Sequence, residues 1–283
     1  MTGRAGKFLA VITVIGLAAC EGGIAAKKDP LGSNVIDAAQ INDLLLTAGD
    51  PNESVIYFEA ALANEPGRED FRRGLAKSLT RAKRYPEASR IYQEMIALGQ
   101  DKPTDKLEYA MVAAHLQNWD EVERLVATVP AGLNTPRRYM VEALLADQKQ
   151  NWSAADTAYA TAESLTTNPA SVLNNWGVSL MSRGDLTRAQ GTFERALTYN
   201  SRLFSAKNNL AISRGLQGNY QLPVIPMTEK EKATILNNLG LIALRKGDKN
   251  VAKGLFAAAI DTHPQHYSAA ADRLAALEAV VEN

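Results

Sequence analysis

Cysteine is almost absent from this sequence, because Cys20 is the only cysteine among 283 residues. A single cysteine excludes an intramolecular disulfide and any metal site built from several thiolates. An excess of one charge is also missing, since 31 basic residues balance 31 acidic ones. The chain therefore lacks the basic surplus that is typical of nucleic-acid binding, and we expect no nucleic-acid partner.

Aromatic residues are scarce as well, at 6% of the sequence, while apolar residues reach 46% and charged residues 22%. These proportions are ordinary for a globular protein and too apolar for a disordered one. A β-sandwich would be richer in aromatic and β-branched side chains. The composition, in which alanine is abundant, favours closely packed helices.

Signatures of catalysis are missing too. The sequence contains no phosphate-binding GxxxxGK[ST] loop, no HExxH zinc motif and no GxSxG nucleophile turn. The three histidines show no metal-ligand spacing with carboxylates or with one another. We therefore predict a protein that is not an enzyme and has no cofactor, metal or small-molecule substrate.

The amino terminus reads as an export signal. An apolar run at Phe8–Ala19 follows Arg4 and Lys7 and ends at Cys20. The run is shorter than the roughly 20 residues of a membrane span but suits a secretory signal. Its end, LAAC, resembles the lipobox of bacterial lipoproteins, which implies cleavage before Cys20 and acylation of its sulfur and new amino group. The alternative is a simple signal peptide cut nearby, with Cys20 incidental.

These features predict the first two segments of the chain. Residues 1–19 would be the lipoprotein signal peptide, and residues 20–34 the lipidated cysteine and a flexible tether. Aspartate after the lipidated cysteine marks inner-membrane retention in Gram-negative sorting, and Glu21 stands there instead. The expected location is thus the bacterial cell envelope, facing the periplasm and attached through lipid to the outer rather than the inner membrane. Without acylation, a soluble periplasmic chaperone would be the alternative.

A turn signature recurs along the rest of the chain, with successive steps of 34, 34, 33, 34, 34 and 29 residues. This period resembles the tetratricopeptide repeat, which implies an all-α, right-handed α-solenoid of about six to seven helix-turn-helix units with a carboxyl-terminal capping helix. We place the array at 35–220, a proline-containing linker at 221–232, and a last unit with the capping helix at 233–283. The turns begin at Gly49, Lys83, Gln117, Gln150, Gly184, Gly218 and Gly247.

Two units show the internal pattern most fully. Gly177 in a first helix is followed by Phe193 in the second, and Gly240 by Phe256. Glycine midway in one helix lets the paired helix approach closely, while alanines around the phenylalanine complete a buried face. This pattern predicts close helix pairs in both units.

The repeat is interrupted at Leu222–Pro226, with the sequence LPVIP. Two prolines three residues apart disfavour a helix, so the unit before them should lack its second helix. Thr228 and Glu231 then resemble a capping box that opens the next helix. The segment is either a shortened connection that covers the core, or a kink or apolar edge for a partner.

Paired asparagines occur three times, in LNNWG, KNNLA and LNNLG. The repeat resemblance places them on or near the concave wall, stacked about one repeat apart. An amide can donate and accept, so these side chains could pair with the backbone of an extended peptide. Inter-repeat or intrahelical hydrogen bonds are the alternative. The six residues are Asn174, Asn175, Asn208, Asn209, Asn237 and Asn238.

Upstream, Arg73, Lys77 and Arg81 are spaced i, i+4, i+8 and share one helix face. This face could bind an anionic partner, either an acidic segment or a lipid head group. The alternative is a solvated helix surface.

The carboxyl-terminal half, through NNWGVSLMSRGDL, AKNNLAISRGLQGNYQLP, LNNLGLIALRKGD and THPQHY, resembles the TadD family of lipoproteins from the Flp (tight adherence) pilus system. The resemblance covers roughly the last 110 residues. It implies a pilotin-like role in which the protein binds a peptide of the secretin or of another pilus component. A general envelope scaffold, for outer-membrane protein assembly or cell-wall enzyme recruitment, is the alternative function.

Overall fold

The structure is a computed structural model that describes residues 41–279. By contacts the chain divides into two units, Met1–Leu44 and Leu45–Asn283, of which only the second is described nearly throughout. The predicted signal peptide at 1–19, the tether at 20–34 and the lipidation site Cys20 lie outside the described residues. Their assignments stay predictions.

Helices joined by short turns make up the second unit, and residues 41–47 are helical before them. None of the described helices has the length and apolar character needed to cross a membrane. The helices are α1 (Pro51–Asn64), α2 (Glu69–Arg81), α3 (Tyr85–Ala97), α4 (Pro103–His115), α5 (Trp119–Ala127), α6 (Pro136–Gln148), α7 (Trp152–Ser164), α8 (Ala170–Ser182), α9 (Leu186–Tyr199), α10 (Phe204–Leu216), α11 (Glu229–Arg245), α12 (Lys249–Thr262) and α13 (Ser268–Ala279).

The turns that follow the first helices fall where the sequence predicts them. In six of the seven predicted turns the first residue has a positive φ, between 55° and 90°. This left-handed conformation ends the first helix and reverses the chain, and glycine adopts it without a steric penalty. Glycine occupies three of the six positions. The six residues are Lys83, Gln117, Gln150, Gly184, Gly218 and Gly247.

Consecutive helices pack as antiparallel hairpins that stack into an α-solenoid, so the predicted fold class is confirmed. The glycine pattern explains the closest pairs. A Cβ atom on Gly177 would lie 2.4 Å from the ring of the buried Phe193, and one on Gly240 would lie 2.6 Å from the ring of Phe256. Only hydrogen fits there, because carbon atoms in contact need about 3.5–4.0 Å.

The sixth unit has its first helix, α10, but no second helix, and residues 217–228 connect α10 to α11 without helical structure. Leu222 packs against the α10–α11 core and Pro223 is buried, whereas Val224 is fully exposed. The connection therefore covers part of the core and also presents one apolar side chain to solvent.

The next helix begins earlier than the predicted linker boundary. The capping box is present, with the Glu231 backbone N–H donating to Thr228 Oγ1 at 3.2 Å and the Thr228 N–H donating to a Glu231 carboxylate oxygen at 2.9 Å. This reciprocal pair starts α11 at Glu229. Residues 229–232, which we placed in the linker, are therefore helical.

Candidate functional site

The paired asparagines lie on α8, α10 and α11, the first helices of three successive units. Their amides bond directly between units. Asn209 Nδ2 donates to Asn174 Oδ1 at 3.1 Å, and Asn238 Nδ2 donates to Asn208 Oδ1 at 2.8 Å. The sequence left open whether these amides bind a peptide or one another. The inter-repeat hydrogen bonds of the second alternative are present.

Longer contacts connect the two amides of each pair, at 3.4 Å for Asn174 with Asn175 and at 3.5 Å in the other two pairs. Together with the bonds between units, they form one zigzag row, which we call the asparagine ladder. We expected two parallel stacks, one for each position of the pair. The structure instead has one row, because each bond between units joins the second asparagine of one pair to the first asparagine of the preceding pair. All Nδ2 donors point in the same direction along the row.

The two ends of the ladder differ. At the carboxyl-terminal end, Arg273 Nη1 donates to Asn237 Oδ1 at 3.0 Å. At the other end, Asn175 Nδ2 meets Met140 Sδ at 3.3 Å, and a thioether sulfur is a weak acceptor. The Nδ2 donor of Asn175 therefore has the weakest acceptor in the ladder.

The ladder leaves part of its hydrogen-bonding capacity for other groups. Each amide has two N–H donors and two acceptor lone pairs, and the ladder bonds use at most one of each per residue. Asn237 is buried, but the other five side chains are half-buried. Peptide binding by the six asparagines stays a prediction, and the arrangement leaves donors and acceptors with which to do it.

An open groove of about 590 Å³ begins where the ladder ends, and Asn175 belongs to both. Three successive first helices, α4, α6 and α8, form its walls. Sequence reasoning did not identify this groove. Its lining residues are Met111, Ala114, His115, Gln117, Trp119, Leu144, Asp147, Gln148, Tyr159, Asn175, Val178, Ser179 and Ser182.

Asp147 provides the negative charge of the groove. Its carboxylate accepts hydrogen bonds from Ser179 Oγ at 2.6 Å and from the Tyr159 hydroxyl at 2.8 Å. Burial raises the pKa of Asp147 above its ordinary value, and these two hydrogen bonds and the charge of Arg183 oppose the shift only in part. The carboxylate is thus held in place by hydroxyls but poorly compensated as a charge.

Other half-buried or buried carboxylates in the array are paired with cations. Arg183 donates to Asp156 at 2.6 Å; burial alone would raise the pKa of Asp156, but the bonds from Arg183 and Trp176 lower it. Arg73 Nε bonds to Asp105 at 2.8 Å. Within residues 41–279, no such ion pair is formed by Asp147.

His115 adds no positive charge to the groove at neutral pH. Its ring stacks on Tyr85 with centroids 4.3 Å apart. Burial, together with the nearby charges of Lys83 and Arg137, lowers the pKa of His115 below its ordinary value. A histidine whose ordinary pKa is about 6.5 is therefore neutral here at pH 7.

The predicted cationic face on α2 is mostly engaged within the protein. Besides its bond to Asp105, Arg73 donates to the Gln100 carbonyl at 2.8 Å. Arg81 donates to the Leu45 and Gly49 carbonyls, both at 2.7 Å. The two arginines thus tie neighbouring helices together, and Lys77 lies half-buried between them. Binding of an anionic partner at Arg73, Lys77 and Arg81 stays a prediction.

One signal in the sequence could have pointed to Asp147. It lies in the last turn of α6, next to the end at Gln148. The partial negative charge of a helix carboxyl terminus disfavours an acidic residue there. An aspartate at such a position is therefore a candidate for a function outside the helix. In the part of the chain that the structure describes, no cluster of three or more metal-binding side chains occurs.

Comparisons with known proteins agree with the fold. The tetratricopeptide repeat profile matches residues 45–105. The chain is similar to the crystal structure of the APC/C hetero-tetramer Cut9–Hcn1, with a TM-score of 0.57 and 16% identity over 88% of this chain. It spans 50% of the length of that chain.

A tetratricopeptide repeat protein from Parabacteroides merdae is similar as well, with a TM-score of 0.53 and 14% identity over 87% of this chain and 100% of that one. No curated protein matches the sequence significantly. At these identities the likeness concerns the fold alone. The stacked helical hairpins, the left-handed turns and the profile match over residues 45–105 together show that this protein has the fold of a tetratricopeptide-repeat α-solenoid.

Proposed function

We propose that the protein is a membrane-anchored periplasmic adaptor that assists assembly of a Flp (tight adherence) pilus apparatus, in a pilotin-like manner towards the secretin. Lipid on Cys20 would hold the array at the outer membrane. The groove would bind an extended segment of the secretin or of another pilus component. This function requires binding alone and no catalysis.

The groove is the observation that carries the binding role. It runs across α4, α6 and α8, and it joins the asparagine ladder at Asn175. A peptide lying in the groove would meet apolar side chains along the walls and amide groups at one end. Amides satisfy the backbone of an extended peptide whatever its side chains are, because they both donate and accept.

Two features of the sequence support the proposed membrane attachment and the proposed client. The LAAC sequence before Glu21 supports a lipid anchor. The stretches that resemble the TadD family support a pilus client. A general envelope scaffold would use the same groove for a different client, so the identity of the bound protein decides between the two.

The ladder should contribute to client binding more than to folding. We expect the double substitution Asn175→Ala with Asn209→Ala to reduce client recovery, while helicity is unchanged. The double substitution removes the 3.1 Å bond from Asn209 to Asn174, the contact of Asn175 with Met140 and two long contacts within pairs. A hydrogen bond contributes about 0.5–1.5 kcal/mol, so we expect Tm to fall by several degrees while the fold is retained. Circular dichroism and a pull-down measure the two effects. Asn250→Ala, on the exposed face of α12, is the matched control.

The client is identified by purifying the full-length lipidated protein from detergent-solubilised membranes of its own host and analysing bound proteins by mass spectrometry. Recovery of a secretin or another Flp pilus component, reduced by the double substitution, supports the proposal. Recovery of outer-membrane assembly or cell-wall proteins instead points to the general scaffold. Loss of the fold in the double variant would count against a binding role for the ladder.

The anchor is tested separately by metabolic labelling with palmitate. We expect the wild-type protein to incorporate the label and Cys20→Ser to remain unlabelled. Absence of label in the wild-type protein would contradict the lipid anchor and favour a soluble periplasmic chaperone.

A further inference from the structure

We propose that the groove selects a client segment that carries a lysine or arginine flanked by apolar residues, with the cation bound to Asp147. This inference rests on the proposed peptide-binding function and specifies the chemistry of the segment. Three observations support it: the charge of the groove, the partners of Asp147 and the composition of the walls.

The side chains that line the groove contribute one negative charge at neutral pH, and the cations Lys83, Arg137 and Arg183 lie near the groove but outside its lining. Among its described lining residues, Asp147 and His115 are the acidic and basic side chains, and Tyr159 is the other ionisable group. His115 is neutral, as argued above. Burial and the neighbouring Asp147 raise the pKa of Tyr159, so its hydroxyl stays protonated and donates. The lining side chains therefore favour a ligand that brings a cation to Asp147.

Asp147 has room for that cation. A carboxylate offers about four acceptor sites, and the hydroxyls of Ser179 and Tyr159 occupy one site on each oxygen. Arg183 is close enough to influence Asp147, but its guanidinium bonds to Asp156. Because Asp105 and Asp156 each have an arginine partner, the absence of an ion pair at Asp147 among the described residues marks it as the exception. A ligand lysine or arginine would fill that place.

Part of the wall beside Asp147 is apolar, although polar side chains such as Gln148 and Ser182 also line the groove. Met111, Leu144 and Val178 line the groove, and Val178 is 38% exposed although it is a large apolar residue. Apolar surface of this kind gains free energy when a ligand covers it, by about 25 cal/mol for each Å². The same surface lowers the local dielectric, so a charge pair formed there is stronger than one in water.

Asn175 would bind the peptide backbone, and the Asp147 carboxylate beside Ser179 would bind the cation. The spacing of these two groups suits an extended peptide. Asn175 and Ser179 are one helical turn apart on α8, and a helix rises about 6 Å over four residues. Two residues of an extended peptide span about 6.6 Å. A ligand carbonyl could therefore replace the sulfur of Met140 as acceptor for Asn175 while a basic side chain two residues along reaches the carboxylate beside Ser179.

The test uses a phage-displayed library of random nonapeptides, selected on the full-length lipidated protein in detergent micelles. We expect the enriched peptides to carry lysine or arginine at one position, with apolar neighbours. Selection on Asp147→Asn should lose this preference. Asp261→Asn, an exposed acidic residue on α12, should keep it.

Affinity measurements on one enriched peptide then test the pairing directly. Replacing its basic residue with norleucine should weaken binding to the wild-type protein about tenfold or more, and should change binding to Asp147→Asn little. The norleucine comparison on the wild-type protein does not depend on the folding of a variant. We also expect Asp147→Asn to keep its Tm or raise it, because the amide can still bond the two hydroxyls and no buried charge remains.

Two outcomes would overturn the inference, and they have different consequences for the proposed function. Val178→Trp should obstruct the groove. If peptides bind, lose binding in Val178→Trp and show no preference for a cation, the role of Asp147 is wrong and groove binding stands. If no nonapeptide is enriched, both the inference and peptide binding in the groove are wrong.

Discussion

Phe193→Ala is expected to lower the free energy of unfolding by about 3–5 kcal/mol, because it leaves a cavity in the core between paired helices. The ring is completely buried and packs with Leu180 and Leu210. Its edge lies against Gly177, where no Cβ atom would fit. Urea unfolding followed by circular dichroism measures the loss.

The partner glycine gives the reciprocal test. Gly177→Ala should cost about 1–3 kcal/mol through overpacking, since the new methyl group would lie 2.4 Å from the ring of Phe193. The cost should be smaller when Phe193 is already alanine, because the methyl group then enters the cavity. Strictly additive costs in the double variant would contradict this packing.

A matched control is available on the paired helix. Gly191 lies inside α9, where an added Cβ atom would meet nothing within 4 Å. Gly191→Ala should therefore stabilise the protein by about 0.5–1 kcal/mol, since alanine is the better helix residue and no contact is strained. The opposite signs at Gly177 and Gly191 separate packing from helix propensity.

Arg73→Ala is expected to cost about 3–5 kcal/mol, because it leaves a buried carboxylate without its cation. The Asp105 side chain is only 3% exposed and pairs with Arg73 Nε at 2.8 Å. The same carboxylate accepts the backbone N–H of Lys102 at 2.9 Å and so helps to start α4. Substitution of the arginine therefore disturbs both the pair and the junction between α2 and α4. Thermal and urea unfolding measure the loss.

An exposed ion pair is the control for this prediction. Arg124 pairs with Glu121 on the surface of α5, and the arginine side chain is 55% exposed. Exposed pairs contribute about 0–1 kcal/mol, so Arg124→Ala should have little effect. If Arg73→Ala were equally mild, the buried pair would not be structural, and the arginine would again be a candidate for partner binding.

This result also decides how the predicted anionic-partner face can be tested. Variants at Arg73 or Arg81 would destabilise the fold, because both residues bond to acceptors within the array. Loss of binding in such variants would not identify a binding surface. Lys77→Ala is the informative change, since it removes a charge from the same face at a half-buried position between the arginines.

The sequence by itself determined the features that depend on neighbours along the chain. The spacing of turns predicts the repeat, and left-handed residues such as Gln117 and Gly184 occupy the predicted positions. Thr228 and Glu231, three residues apart, open α11 as predicted. Gly177 and Phe193 lie within one repeat, so their contact follows from the repeat pattern. Such features can be read locally because each is set within one unit or one turn.

The tertiary structure alone decided the features that depend on how units stack. Ser179 reaches Asp147 across 32 positions of the sequence, and Asn209 reaches Asn174 across 35. The sequence identified the asparagines, but the small rotation between successive units determines which amides meet, and it produced one zigzag row rather than two stacks. The same stacking placed Asp147 beside two hydroxyls, while the nearby Arg183 bonds to Asp156 instead. Residue types limit what a side chain can bond, and the packing between repeats selects the partner it has.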